Sequence, residues 1–235
     1  VGIGADGEIE LALATGDKDL FRPFREQIAR RRTVSSWQDV GALGLYAILE
    51  HPGFFVEEQA AAKAVLLDSA KVLLRRVLTT GYASPIDSAN FVWGSFCVQA
   101  MPGIHMAHAF LASGDFGYLR GAESSLDYLL GRNPHDSSYV TGIGRRPPRH
   151  PHHRPSVADT VDMPVPGFLV GGSHMGGQDI GSNPWQVKDY RVPGKPALSW
   201  TDDWKSYASN EVAINWNAAF VHLSGIVVHA RRPLQ

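Results

Sequence analysis

Carboxyl and aromatic groups are concentrated in residues 200–218, a combination suited to proton transfer on a polar substrate. This segment contains Asp202, Asp203 and Glu211 among Trp, Tyr and Asn residues. A carboxyl beside apolar and aromatic groups can have its pKa raised, as a general acid requires. In the other interpretation, Glu211 begins a helix and the helix dipole keeps its pKa low. Glu211 is therefore our candidate acid, and both aspartates remain open as turn residues.

A basic, proline-rich segment precedes this region. Residues 145–154 read Arg-Arg-Pro-Pro-Arg-His-Pro-His-His-Arg. Prolines restrict the backbone, while His and Arg supply hydrogen-bond donors and positive charge. This pattern favours a rigid rim that holds a polar or anionic group, with His152 and Arg154 as candidates. An ordinary surface loop and an adventitious metal site at His150, His152 and His153 are the alternatives.

A third cluster lies earlier in the chain, where Trp93 is followed by Gly94 and Ser95. A tryptophan just before a helix can present an open aromatic face. Sugar rings stack on such faces, and neighbouring polar groups bond their hydroxyls. The alternative is a tryptophan in the hydrophobic core.

The composition excludes several classes of protein. With 22 Lys and Arg against 23 Asp and Glu, the net charge is -1, so there is no basic excess to bind nucleic acid. No apolar run reaches the ~18 residues of a membrane span. Cys97 is the one cysteine among 235 residues, which excludes an intramolecular disulfide and a thiolate zinc cluster.

The elements that must position these residues are helical. Strand alternation is scarce, so the pattern predicts an all-α fold. Similar turns at residues 14–17 (ATGD) and 112–115 (ASGD) each close one helix and open the next, which indicates stacked helical hairpins. Helical periodicity and stop signals predict seven helices, over residues 5–15, 18–32, 38–50, 56–79, 93–112, 116–131 and 208–230.

Residues 133–206 break the helical pattern. They contain ten of the fifteen prolines and five of the ten histidines. A stretch of this length without secondary structure far exceeds an ordinary connection, and such loops are usually functional or disordered. Its Trp, Phe, Leu and Val residues supply apolar material to pack, so we expect an ordered functional loop.

These segments resemble glycoside hydrolase family 9, the cellulase family with an (α/α)6 barrel. Residues 138–154, ending in Pro-His-His-Arg, match one family signature, and residues 200–218 match the other. The segments 128–134, 165–172 and 178–179 are also similar to the family. The likeness covers nearly the whole chain and is strongest from 128 to 218.

The resemblance implies a role for each matching residue. Glu211 matches the general acid that protonates the leaving glycosidic oxygen. Asp202 matches the second acidic position of the signature over residues 200–218, and we assign it as a catalytic residue that supports the site. The implied sugar-binding residues carry basic or aromatic side chains: His152, Arg154, Trp93, Tyr207 and Trp216.

The implied activity is inverting hydrolysis of β-1,4-glucosidic bonds in cellulose or related β-glucans, of the endoglucanase type. Inversion requires a second carboxylate ~6.5–9.5 Å from the acid. The family's general base lies in an Asp-Ala-Gly-Asp segment that this sequence lacks, and seven helices are too few for a twelve-helix barrel. We therefore expect residues 1–235 to be the C-terminal portion of a catalytic domain, with the base supplied by a missing N-terminal part.

Two further functions remain open at this point. One is an exo-acting β-glucosidase or glucosaminidase of the same family, and the other is a non-catalytic carbohydrate-binding fragment. No cofactor is required, although the resemblance is compatible with a structural calcium; Gln38 stands where an acidic ligand is expected. The implied partners are a β-glucan and the N-terminal part, with no nucleic acid or membrane. The resemblance implies a secreted or periplasmic protein, and the sequence shows no signal peptide.

Overall fold

The computed structural model describes residues 5–28, 34–36 and 39–232, and it is helical throughout its scaffold. None of the helices in these ranges has the length and apolar character needed to cross a membrane. A 3-10 turn at Lys18–Phe21 leads into the second helix. The helices are α1 Ala5–Thr15, α2 Arg22–Arg25, α3 Gly41–Glu50, α4 Gln59–Thr79, α5 Ser95–Ser113, α6 Phe116–Leu130, α7 Arg154–Ala158, α8 Tyr207–Asn210 and α9 Ile214–Ala230.

Two of the predicted helices differ from the structure. The segment 18–32 contains a 3-10 turn and the four-residue α2 instead of one helix, and residues 29–33 lie outside the described ranges. The predicted helix 208–230 is interrupted: α8 ends at Asn210, and α9 begins at Ile214. Pro102 lies inside α5, which continues through it.

The two repeated turns have the same construction, as their sequences predict. Gly16 and Gly114 each adopt a φ of +76°, a left-handed conformation that favours glycine. The side chains of Asp17 and Asp115 then each accept a hydrogen bond from the backbone N–H two residues further on, at 2.9 and 2.8 Å. These caps end one helix and begin the next within a few residues.

Helix α5 is the centre of the packing: it runs along α6 and α9 and also contacts α3 and α4. Gly103 permits the close approach. A Cβ there would lie 2.7 Å from the Ser125 Cβ on α6 and 2.8 Å from the Leu223 Cδ1 on α9, closer than real contacts allow. The C-terminal helix is thereby fixed against the earlier hairpin, and its first residues lie next to the candidate site.

A buried cluster of histidines joins these helices. The His105 ring bonds the Tyr46 hydroxyl at 2.8 Å and the Ser69 hydroxyl at 2.6 Å. The His108 ring stacks on Tyr46 at 3.8 Å, and its Nε2 lies 3.4 Å from the Nε2 of His222. Burial lowers the pKa of His105 to about 4 and that of His108 to about 3.

The long segment 133–206 packs against the core, as its apolar content predicts. Tyr139, Val140, Leu169 and Val170 are fully buried in it. Val140 pairs with Leu169 in an antiparallel bridge. The segment has little regular structure beyond α7, so isolated bridges and side-chain hydrogen bonds hold its shape.

Candidate active site

Glu211 lies in an extended break between α8 and α9, not in the first turn of a helix. Its backbone has φ −64° and ψ 149°, and it pairs with His152 in a parallel bridge. The His152 N–H donates to the Asn210 carbonyl at 2.8 Å. The predicted helix start at Glu211 is therefore wrong, because pairing with a distant segment extends the chain here. Stabilisation by a helix N-terminus does not apply to this carboxyl.

Trp93 is brought directly to the carboxyl of Glu211. Its indole Nε1–H donates to Oε2 at 3.1 Å, and the tryptophan is 39% exposed. Its ring centroid lies 5.6 Å from that of Tyr207. Trp93 therefore combines an accessible aromatic surface with a fixed contact to the candidate acid.

Trp216 packs against Gly94, the residue that follows Trp93. It is 9% exposed. A Cβ on Gly94, whose φ is +83°, would lie 2.8 Å from the Trp216 ring, so only glycine fits against this ring. Trp93, Trp216 and Met101 line a cavity of about 240 Å³. The Trp216 ring packs against the backbone of Gly94, and its place in the substrate cleft stays a prediction.

The rings of His152 and Tyr207 adjoin each other beside Glu211, with centroids 6.2 Å apart. The Nδ1 of His152 lies 2.5 Å from the Trp204 carbonyl oxygen. Because a carbonyl only accepts, Nδ1 carries the hydrogen, and Nε2 has no partner within the described part of the chain. The Tyr207 hydroxyl donates to the Gln178 carbonyl at 2.6 Å, which fixes its ring.

Arg154 is the first residue of α7 and is exposed. No ion pair to its guanidinium is found among the described residues. The adjacent His153 Nδ1 bonds the Ser156 hydroxyl at 2.9 Å. The guanidinium is thus accessible to a ligand, two residues beyond His152 on the same segment.

Asp202 holds the basic segment in place. Its Oδ2 accepts from the Arg149 backbone N–H at 2.7 Å, and its Oδ1 accepts from that of His150 at 2.9 Å. The Asn210 amide adds a bond to Oδ1 at 3.1 Å and another to the His150 carbonyl at 2.6 Å. These contacts give Asp202 a positioning role, and its assignment as a catalytic group stays a prediction.

Sequence reasoning missed the part played by Asp179. Its fully buried carboxylate accepts from the Tyr190 hydroxyl at 2.9 Å, the Ser206 hydroxyl at 2.5 Å and the Ala208 N–H at 3.2 Å. Burial and the hydrogen bond to Asp179 raise the pKa of Tyr190. The available signal was a lone acidic residue in a glycine-rich stretch, which gives no indication of its partners.

The described residues do not support the metal site considered for the basic segment. Among them, no group of three or more His, Cys, Asp or Glu side chains could hold a metal ion. Two of the three histidines use Nδ1 in bonds within the chain. The position of Gln38, discussed above for calcium, lies outside the described ranges, so a structural calcium stays a prediction.

Known proteins are similar to this chain over most of its length. Residues 6–224 match the family model described as Glycosyl hydrolase family 9. A Xyloglucan-specific endo-beta-1,4-glucanase from Bacteroides ovatus is 38% identical over 224 residues, covering 92% of this chain and 36% of that protein. Endoglucanase D from Acetivibrio thermocellus is 31% identical over 219 residues, covering 90% of this chain and 32% of that protein.

Solved structures share the fold. The Bacteroides ovatus GH9 structure aligns with a TM-score of 0.77 at 33% identity, covering 97% of this chain and 41% of that one. A single mutant of a thermostable endoglucanase from Alicyclobacillus acidocaldarius aligns with a TM-score of 0.79 at 30% identity. The alignment covers 96% of this chain and 42% of that one. The prediction of an all-α chain forming part of an (α/α)6 barrel is confirmed. The chain spans less than half the length of these relatives.

Proposed function

Because the chain belongs to glycosyl hydrolase family 9, we propose that it forms the C-terminal part of a catalytic domain that hydrolyses β-1,4-glucosidic bonds in cellulose or related β-glucans. The observation that carries this proposal is the Glu211 carboxyl, bonded by Trp93 and flanked by His152 and Tyr207. An endo mode of action is supported by the two relatives above, which are an endo-beta-1,4-glucanase and an endoglucanase. A secreted or periplasmic location is part of the same proposal.

The proposed reaction is a single displacement. Glu211 donates its proton to the oxygen that bridges two sugar units, and the C–O bond to the departing unit breaks. A water molecule forms the new bond at the anomeric carbon from the opposite face and gives its proton to a carboxylate base. That base is an aspartate outside this sequence, in the N-terminal part of the domain. The product at the cleaved bond has inverted configuration.

Trp93 determines which oxygen of Glu211 delivers the proton. Its N–H donates to Oε2 at 3.1 Å. Oε1 is then the oxygen that carries the proton and delivers it to the glycosidic oxygen. After transfer, the same N–H stabilises the carboxylate that is left. Trp93 is therefore a positioning residue as well as a sugar platform.

The sugar hydroxyls on either side of the bond are bound by His152 and Arg154. The Nε2 of His152 accepts a hydroxyl hydrogen while its Nδ1 stays on the Trp204 carbonyl. The Arg154 guanidinium offers several donors in a planar fork. Asp202 acts through these residues by fixing the backbone just before them.

The test uses the complete domain, meaning this chain preceded by the family's N-terminal part. We expect it to hydrolyse soluble β-1,4-glucans, with xyloglucan included because one relative is named as specific for it. The first-formed product, followed by proton NMR, should be the α-anomer. Absence of hydrolysis, or a β-anomer as first product, would contradict the proposal. In the companion assay, efficient hydrolysis by residues 1–235 alone would place the base within this chain.

A further inference from the structure

Trp185 is an exposed tryptophan outside the residues assigned above. It is 74% exposed, far more than Trp93. Its ring packs edge to face with Trp204, with centroids 6.2 Å apart and planes at 83°. An edge-to-face pair leaves one indole face open to solvent. The preceding residues 181–184 are Gly, Ser, Asn and Pro and are exposed, so within its own loop the ring follows small and polar residues.

The loop that carries Trp185 is held by its own hydrogen bonds. The Trp185 N–H donates to the Asn183 side-chain oxygen at 2.9 Å, and the Asn183 amide donates to the Gln186 side chain at 2.7 Å. At the base of the loop, the Gly181 N–H donates to the Val187 carbonyl at 3.1 Å. The ring is therefore presented by a closed loop whose conformation does not depend on the ring itself.

This loop is anchored to the segment that carries Glu211. The Val187 N–H donates to the Asp179 carbonyl at 3.1 Å. The Asp179 carboxylate in turn holds Ser206 and Ala208, at 2.5 and 3.2 Å, immediately before the candidate acid. The Trp185 loop and the segment before Glu211 are thus fixed to the same buried residue, the loop to the Asp179 backbone and the segment to its carboxylate.

Trp204 links the exposed ring to the site. Its carbonyl accepts the hydrogen bond from His152 Nδ1, and His152 pairs with Glu211. Ring contacts join Trp93, Tyr207 and His152 in one group and Trp204 with Trp185 in a second. The hydrogen bond from His152 to the Trp204 carbonyl connects the two groups.

We propose that Trp185, backed by Trp204, forms an outer binding position for a β-linked glucan chain that extends away from Glu211. This inference rests on the proposed function. One indole face has the size of a pyranose ring and covers its apolar C–H surface. A protein partner is the weaker fit, because protein interfaces need apolar patches of several hundred Å² rather than one ring among polar residues.

The test is a titration of the complete domain carrying Glu211→Gln, which prevents turnover, with cellotriose and cellohexaose. Adding Trp185→Ala should weaken cellohexaose binding about tenfold while leaving cellotriose binding unchanged. Trp185→Tyr, which keeps a ring, should restore most of the loss. Leu78→Ala is the matched control, since Leu78 on α4 is 76% exposed, and it should change neither affinity. Unchanged thermal unfolding checks that each variant folds.

The outcomes separate this inference from the function on which it rests. Equal cellohexaose affinity with and without Trp185 would overturn the outer position and leave the proposed function standing. An equal loss for both oligosaccharides would also overturn it, because a distant platform cannot affect a short ligand. Failure of the parent domain to bind either oligosaccharide would contradict the proposed function itself.

Discussion

His152 and Glu211 lie side by side in a parallel bridge, the contact that joins the two halves of the candidate active site. The basic segment and the acidic segment are far apart in the sequence, and the bridge adds to the hydrogen bonds that Asp202 and Asn210 make to the basic segment. The bridge extends the backbone at Glu211 and turns its carboxyl toward Trp93. The proposed acid and the proposed sugar-binding histidine therefore depend on each other for position.

Replacing Trp93 by Phe tests the positioning role of the indole N–H. The ring is kept and the donor to Glu211 Oε2 is lost. Because a hydrogen bond to a charged group is removed, we expect kcat on β-1,4-glucans to fall about tenfold or more. KM should change little, since the platform remains. Steady-state kinetics of the complete domain measure both parameters. A rise in KM with constant kcat would contradict the positioning role and leave Trp93 only as a surface for sugar stacking.

Asp202→Asn tests the clamp on the basic segment. The asparagine side chain has one acceptor oxygen where the carboxylate has two. Its NH₂ group would therefore face one of the two backbone N–H groups, of Arg149 or His150, which then loses its acceptor. We expect the free energy of unfolding to fall by about 1–3 kcal/mol, measured by chemical denaturation. Asp203→Asn is the control, because the Asp203 carboxylate accepts only the Lys205 N–H, at 2.9 Å, among the described residues. Equal effects of the two changes would refute a special role for Asp202.

The buried histidines predict that stability is lost in mild acid. Their unfolded pKa is about 6.5. In the folded state burial lowers the pKa of His105 to about 4 and that of His108 to about 3, despite the Glu50 carboxylate 3.5 Å from His108 Nδ1. Between pH 6.5 and 4, these two histidines therefore bind protons in the unfolded chain but stay neutral in the native state. The two groups together lower stability by up to about 3 kcal/mol per pH unit.

Denaturant unfolding at a series of pH values from 7.5 to 4.5 measures this slope. The contribution of His105 and His108 to the free energy of unfolding should be constant above pH 6.5 and should decrease as the pH is lowered from 6.5. His108→Gln should flatten the dependence, whatever its effect on stability at pH 7.5. His229→Gln, at an exposed position on α9, is the control and should leave the slope unchanged. A slope unaffected by His108→Gln would show that other groups cause the acid sensitivity.

Local features of the structure could be predicted from the sequence, and long-range contacts could not. The turns at Gly16 and Gly114 were predictable because glycine and the following aspartate act within a few residues. Glu211 was identified by residue type and resemblance. Its conformation was not, because the bridge to His152 competes with helix formation and leaves no local signal.

Aromatic residues show the same limit. Trp93 and Trp216 were both assigned to the cleft, yet Trp93 is 39% exposed and Trp216 only 9% exposed. Residue type alone does not separate these cases, because the apolar surface of a tryptophan suits a core and a sugar platform equally. The contact of Trp93 with Glu211 and the supporting role of Asp179 both require the folded chain.

The most direct test of the central claim is the leaving-group dependence of Glu211→Gln in the complete domain. If Glu211 is the general acid, hydrolysis of β-1,4-glucan should fall by about 10²–10⁴-fold, with folding intact. Hydrolysis of a dinitrophenyl cellobioside, whose leaving group needs no proton, should be largely retained. Near-wild-type hydrolysis of β-1,4-glucan by the variant would remove Glu211 from the mechanism.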